Sequence, residues 1–164
     1  MTGTYAVIGN DGLVRIETGN WRSPFGSDGP ARVTIHPDSA AVAWVNDNGY
    51  AQPETCPRNL VGSVLLWLLG AASRPYAGPV VITRWEEPPG REVLPLETRD
   101  VKYEGITAPF LERTVTDIRR VLDLEPGAVD MHPSLADDVR EFVELVRTAE
   151  LPKLTVVPLA QPAT

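Results

Sequence analysis

The sequence has few of the residues on which disulfide-stapled, zinc-binding and nucleic-acid-binding proteins depend. With a single cysteine, Cys56, the chain cannot form an internal disulfide. Its two histidines, His36 and His132, do not stand at zinc-ligand spacing with each other or with Cys56, so we expect no metal site. Acidic residues outnumber basic ones by 22 to 15, and the net charge of −7 argues against binding to a nucleic-acid backbone.

Signals for export, membrane insertion and nucleotide binding are also missing from the sequence. The N-terminal residues lack the basic start and the apolar run of a signal peptide. The most apolar stretch, residues 60–72, is shorter than the about 20 residues that span a bilayer. Phosphate-binding glycine-rich loops and the Gly-x-Ser-x-Gly nucleophile elbow do not occur. We therefore expect a cytoplasmic protein with no cofactor and no membrane contact.

What the chain does have is enough apolar content for a core and an excess of proline. Hydrophobic residues make up 43% of the sequence, which is sufficient to favour a folded state over disorder. Proline occupies 16 of the 164 positions, so we expect short elements joined by ordered, irregular loops. The length predicts a single domain over residues 1–159, followed by a tail at 160–164.

Alternating apolar residues and turn signals predict an antiparallel sheet. Residues 5–8 and 13–16 flank the sequence Gly9-Asn10-Asp11-Gly12, which is typical of a β-hairpin. Residues 19–30 are rich in Gly, Ser, Asp and Pro and predict a loop held in place by Trp21 and Phe25. Further strands are predicted at 31–35, 41–45, 78–85, 91–95 and 154–157.

One apolar and two amphipathic segments predict helices. Residues 57–72 are apolar on nearly all sides, so we place this helix at the centre of the fold, with Pro57 in its first turn and Gly70 at its exit. Thr107 is the expected N-cap of the second helix, and Ser134 that of the third. Their buried stripes are Leu111, Val115, Ile118 and Leu122, and Leu135, Val139, Phe142, Val143 and Val146. The expected fold class is α+β: a mainly antiparallel sheet, one buried helix, and two amphipathic helices covering a face.

The candidate binding residues lie in the connections between these elements. Trp21 stands in a polar loop and is expected to be exposed and available to a ligand together with Phe25. The other tryptophans, Trp44, Trp67 and Trp85, are expected in the core. Asn46, Asp47 and Asn59 complete the candidate set, because asparagine side chains can tie a loop to neighbouring backbone groups.

A catalytic alternative uses Cys56, His36 and Asp38. A helix N-terminus stabilises a thiolate, and Cys56 comes just before a predicted helix. A nucleophile of this kind would need a histidine and an acid such as Asp38 or Asp130. For Cys56, a structural role in the core is favoured over a catalytic one. His36-Pro37-Asp38 matches the tripeptide of J-domain co-chaperones, but a Pro-Asp turn at the end of a strand is the favoured interpretation.

Residues 44–82 carry a pattern found in a known family. Val45-Asn46-Asp47-Asn48-Gly49 ends a strand, Asn59 starts an apolar helix, and Gly78-Pro79-Val80-Val81-Ile82 returns as a strand. This pattern resembles a family of small domains of unknown function, common in phages, plasmids and actinobacterial genomes. The resemblance implies a phage or mobile-element origin. It implies no catalytic residues, because the family has no established activity.

Three hypotheses about function follow. The first is a non-enzymatic accessory binding protein of phage or mobile-element type, which acts on a host protein or sequesters a small ligand. The second is a small cysteine- or histidine-dependent hydrolase or transferase. The third is a homo-oligomeric assembly protein whose helix faces associate. The modest catalytic inventory and the acidic balance favour the first.

Overall fold

The computed structural model describes residues 3–36, 41–46, 56–85, 93–99 and 106–149. The strands within these ranges are β1 (Gly3–Ile8), β2 (Val14–Gly19), β3 (Pro30–Val33), β4 (Ala41–Asn46), β5 (Val80–Trp85) and β6 (Val93–Leu94), and the α-helices are α1 (Leu60–Leu68), α2 (Ala108–Val121) and α3 (Pro133–Thr148). The predicted strand at 154–157, the predicted tail, and the candidate residues Asp38 and Asp47 lie outside the described residues.

All the strands belong to one antiparallel sheet. The order across it is β2-β1-β5-β4-β3, and β6 pairs with the end of β5. The predicted N-terminal hairpin is confirmed, with Ile8 opposite Val14 and Gly3 opposite Gly19. Its turn depends on Gly12, whose φ of 75° lies in the left-handed region that glycine adopts without strain. The sheet and its helices confirm the α+β class.

The first face of the sheet is covered by the helices. Alternate strand residues face α1 and share one apolar core with it: Ala6, Ile8, Ala43, Val45, Val80 and Ile82. The α1 residues from Val61 to Leu66 are buried, because α2 and α3 pack over the side of α1 that the sheet leaves open. This confirms the predicted central helix. No helix in the described ranges is both long and apolar enough to cross a membrane.

The boundaries of α1 differ from the prediction. The helix spans Leu60–Leu68 rather than residues 57–72, because Asn59 caps it: the Asn59 Oδ1 accepts the Gly62 N–H at 2.8 Å. Pro57 lies before the helix, where its carbonyl accepts the Gly78 N–H at 2.9 Å. Gly70 follows the helix end with a φ of 98°, as expected of a helix exit.

The buried faces of α2 and α3 follow the prediction except at Leu122, which is half-buried, and at Leu135, which is 37% exposed while Ala136 is buried in its place. One helix cap also differs. Thr107 caps α2 as predicted, through its Oγ1 and the Phe110 N–H at 3.3 Å. The cap of α3 is His132, whose Nδ1 accepts the Ser134 N–H at 3.2 Å, so the prediction that Ser134 caps α3 is wrong. Ser134 instead lies in the first turn of the helix.

Arg58 fixes the end of α3 close to the start of α1. Its Nη1 donates to the carbonyls of Val146 and Arg147, at 2.6 and 2.9 Å. The last carbonyls of a helix have no partner within the helix, and a cation there also complements the helix dipole. Arg58 therefore helps to set how α3 lies against α1.

The second face of the sheet is covered by the connection between β2 and β3. These two strands lie at opposite edges, so residues 20–29 must cross the sheet. Trp21 and Phe25 of this segment form a second apolar cluster with Tyr5, Val7 and Val81. The prediction that the two aromatic residues hold the loop in place is confirmed.

Candidate functional site

Trp21 and Phe25 are buried, so the prediction that Trp21 is exposed is wrong. Their relative exposures are 9% and 3%. The Trp21 ring packs on Trp44 with the ring centroids 4.5 Å apart, and the Arg22 guanidinium lies over Trp21 at 5.1 Å. A cavity of about 10 Å³ beside Trp21 holds no more than a water molecule. A ligand would reach these residues only if the crossing loop opened.

Tyr5 provides a polar contact at the same face. Its hydroxyl donates to Oε2 of Glu17 at 3.1 Å. Burial, and then the hydrogen bond to the Glu17 carboxylate, raises the pKa of Tyr5 above its ordinary value. The hydroxyl therefore stays protonated at neutral pH and links β1 to β2.

Asn46 and Cys56, which the sequence analysis assigned to different hypotheses, come together at the end of β4. The Asn46 Nδ2 donates to Oδ2 of Asp28 at 3.0 Å and lies 3.6 Å from the Cys56 Sγ. Gly78 closes the other side, where an added Cβ would stand 3.3 Å from that sulfur. Asn46 and Cys56 are 8% and 6% exposed, so this cluster forms a packed junction.

The Asn59 side chain makes three hydrogen bonds to backbone groups. Besides capping α1, its Nδ2 donates to the carbonyls of Ile8 and Gly78, each at 2.9 Å. The side chain is fully buried and both of its donor hydrogens are used. Asn59 thus ties the end of β1 and the turn before β5 to the start of α1. It has no donor left for a ligand.

Cys56 and His36 lie at opposite ends of α1. Cys56 precedes the helix, while the His36 N–H donates to the Leu69 carbonyl just after the helix, at 2.7 Å. A helix of nine residues rises about 13 Å, so the two side chains are not placed for proton transfer. The structure does not bring the predicted catalytic pair together.

A groove that the sequence analysis missed lies on the outer surface between α1 and α3. Its volume is about 230 Å³, and its lining residues are Trp67, Ser73, Asp138, Glu141, Phe142 and Leu145. We call it the α1–α3 groove. Trp67 stacks on Phe142 with the ring centroids 4.8 Å apart and the planes 25° apart. Leu145 is 48% exposed at the rim.

The helical repeat explains how α3 builds its side of the groove. Asp138, Glu141, Phe142 and Leu145 stand at i, i+3, i+4 and i+7, which places them on one face of a helix. Phe142 belongs to the buried stripe, whereas Leu145 lies beside it. Trp67 is half-buried near the end of α1, so its predicted place within the core holds only in part. An exposed leucine next to the stripe is the one local signal that could have pointed to this groove.

Within the described part of the chain, the charges of α3 outside the groove form ion pairs, and those that line the groove do not. Asp137 pairs with Arg140 at 3.1 Å, and Glu144 pairs with Arg147 at 2.9 Å. Asp138 and Glu141 have no hydrogen-bond or ion-pair partner among the described residues. The groove therefore combines an aromatic floor with two carboxylates that no described residue neutralises. Such a surface can bury apolar groups and attract a cation.

A second groove runs along α2 and differs in character. Its volume is about 380 Å³, and it is lined by Glu112, Arg113, Thr116, Asp117, Arg120 and Asp130. The charges are of both signs, and Oδ1 of Asp117 already accepts the Asp130 N–H at 2.7 Å. The described residues that line it include no large apolar side chain, so we choose the α1–α3 groove as the candidate site.

Comparison with known proteins assigns no function to this geometry. No protein-family model matches the chain. No curated protein and no solved structure matches it either. The family resemblance of residues 44–82 stays a prediction, and the function is argued from the α1–α3 groove.

Proposed function

We propose that this chain is a non-enzymatic binding protein that acts on another protein through the α1–α3 groove. The observation that carries the proposal is the apolar surface of the half-buried Trp67 and the exposed Leu145, which lie in a groove on the outside of the helices with the buried Phe142 beneath them. Aromatic side chains in such recesses supply much of the energy of protein interfaces, because their rings bury a large apolar area. The phage or mobile-element origin stays a prediction.

The size of the groove favours a protein partner over a small ligand. Sites for drug-sized molecules have volumes of about 300–1,000 Å³ and enclose most of the ligand. The α1–α3 groove has about 230 Å³ and opens along a helix surface. It fits side chains that project from another protein better than it fits a sequestered molecule.

The two alternatives have weaker support. A cysteine enzyme that used His36 as its base would need Cys56 and His36 to meet, and they lie at opposite ends of α1. A homo-oligomer through this groove would bring Asp138 and Glu141 of two copies close together, where like charges repel. The homo-oligomer remains an outcome of the experiment below.

Two exposed leucines provide a matched test of this proposal. Leu145 in the groove and Leu124 after α2 are 48% and 49% exposed, so aspartate at either position leaves the core intact. We expect Leu145→Asp to weaken capture of a partner from the host lysate by about tenfold or more, as loss of an interface anchor does. Leu124→Asp is expected to capture the same partner as the unchanged protein. Native mass spectrometry of the tagged protein identifies what is retained.

The other outcomes of this experiment separate the hypotheses. Equal capture by both variants would remove the groove from the binding account. A bare homo-oligomer that dissociates only in Leu145→Asp would replace the proposal by the assembly hypothesis. Circular dichroism and the thermal midpoint of each variant serve as controls for folding.

A further inference from the structure

We infer that the α1–α3 groove takes a positively charged segment of the partner protein, with an arginine or lysine side chain over Trp67 and between Asp138 and Glu141. This inference rests on the proposed function and specifies the chemistry of the partner. Three features of the groove support it: its charge, its aromatic floor and its aliphatic rim.

The charge of the groove is available to a partner. Asp138 and Glu141 stand at i and i+3 on α3, which places their Cβ atoms about 5–6 Å apart. Asp137 and Glu144 on the same helix are each paired with an arginine three residues further on. The two groove carboxylates have no such partner among the described residues. A cation between them would be held from both sides.

The arginines that stand next in sequence to lining residues of the groove are directed elsewhere. Arg140, beside Glu141, pairs with Asp137 at 3.1 Å. Arg74 follows the lining residue Ser73, and its guanidinium lies over the Tyr76 ring at 5.0 Å. This contact occupies Arg74 at a different aromatic side chain. Among the residues that the structure describes, no arginine or lysine is paired with the groove carboxylates, which leaves them able to receive a cation from a partner.

The Trp67–Phe142 stack that forms the floor of the groove, and Leu145 at its rim, can contact the charged head and the aliphatic stem of a basic side chain. A cation over the face of tryptophan is attracted by the ring quadrupole, and arginine also stacks on it. The aliphatic stem of arginine or lysine packs on apolar surface while its charged head stays near water. Leu145 supplies that surface beside the Trp67–Phe142 stack. The net charge of −7 also favours encounter with basic partners.

The chain offers a matched pair of double variants for the test. Asp138→Asn with Glu141→Gln removes the two groove charges without changing side-chain size. Asp137→Asn with Glu144→Gln removes the same number of charges from the same helix outside the groove. The probes are a fluorescein-labelled peptide of alternating arginine and leucine and its counterpart with glutamate in place of arginine. Fluorescence anisotropy gives their affinities, and the indole N–H signal of Trp67 in ¹⁵N–¹H spectra reports the place of binding.

We expect the arginine peptide to bind and shift the Trp67 indole signal, and the glutamate peptide to do neither. The groove double variant is expected to weaken binding by about tenfold, the other double variant by less than about twofold, and added salt should weaken binding to the unchanged protein. Equal losses in the two double variants, an unshifted Trp67 signal, or failure of the arginine peptide to bind would each overturn the inference.

The captured partner separates failure of this inference from failure of the proposed function. A partner that is lost with Leu145→Asp but retained in full by the groove double variant would leave the groove as a protein-binding site and reject its basic occupant. A partner retained in full both by Leu145→Asp and by the groove double variant would reject the groove itself.

Discussion

Replacing Asn59 by alanine is expected to lower the free energy of unfolding by about 3–5 kcal/mol, because three buried hydrogen bonds are lost together. The cap of α1 contributes about 1 kcal/mol of this loss. The carbonyls of Ile8 and Gly78 would each lose a donor, and a buried polar group without a partner costs about 1–3 kcal/mol. Equilibrium denaturation in urea measures the change through the midpoint and the slope.

Thr107 provides the control for Asn59, because it is also a buried N-cap but makes a single cap bond. Thr107→Ala is expected to cost about 1 kcal/mol. Asn59→Asp keeps the acceptor for the Gly62 N–H and loses both donors, so it should be at least as damaging as alanine. If Asn59→Ala cost no more than Thr107→Ala, the tie between β1, the turn before β5 and α1 would not stabilise the fold.

Truncating Phe142 to alanine is expected to cost about 3–4 kcal/mol, the usual range for a large aromatic side chain removed from a core. Phe142 is 6% exposed and stacks on Trp67, so the truncation opens a cavity between α1 and α3. Phe142→Leu retains most of the apolar volume and is expected to cost about 1 kcal/mol. Urea denaturation followed by tryptophan fluorescence measures both variants.

Phe142 and Leu145 both line the groove, but we expect only Phe142 to contribute substantially to the free energy of unfolding. Leu145→Asp changes an exposed position and is expected to alter the free energy of unfolding by about 0.5 kcal/mol or less. Phe142, in the floor of the groove, would then stabilise the fold, whereas Leu145, at its rim, could contact a partner without a cost in stability. A cost for Phe142→Ala as small as that of Leu145→Asp would mean that α3 is not docked through the aromatic stack.

Those parts of the fold that depend on local pattern could be predicted from the sequence. The β1–β2 hairpin follows from a turn rich in Gly, Asn and Asp between two alternating segments. The start of α2 follows from Thr107 before Pro109 and a periodic apolar stripe. The central position of α1 follows from a segment with no polar face.

The errors arose where distant contacts decide the local structure. The start of α1 does have a local signal, because asparagine is a favoured N-cap and Asn59 accepts the Gly62 N–H. The Asn59 bond to the Ile8 carbonyl, 51 residues away, has no local signature. Trp21 is buried because β2 and β3 lie at opposite edges of the sheet, so the polar loop between them has to cross a face. The polar composition of the loop predicts that it is exposed to solvent together with Trp21, because composition carries no information about strand order.

The candidate site could not be predicted for the same reason. Trp67 and Phe142 meet only because α1 and α3 dock against each other, with Arg58 holding the end of α3. In the sequence each of them is one more residue of an apolar stripe. In the sequence, Asp138 and Glu141 look like ordinary charged residues on the solvated face of a helix. The structure distinguishes them, because Asp137 and Glu144 on the same helix form ion pairs and these two do not among the described residues.

Site-specific photocrosslinking in cells that express the protein tests most directly whether another protein occupies the α1–α3 groove. A benzophenone amino acid replaces Leu145 in one variant and Leu124, which has the same exposure, in the other. We predict that irradiation joins the Leu145 variant to a partner protein and leaves the Leu124 variant without that adduct. The same adduct from both positions, or none from Leu145, would contradict the account.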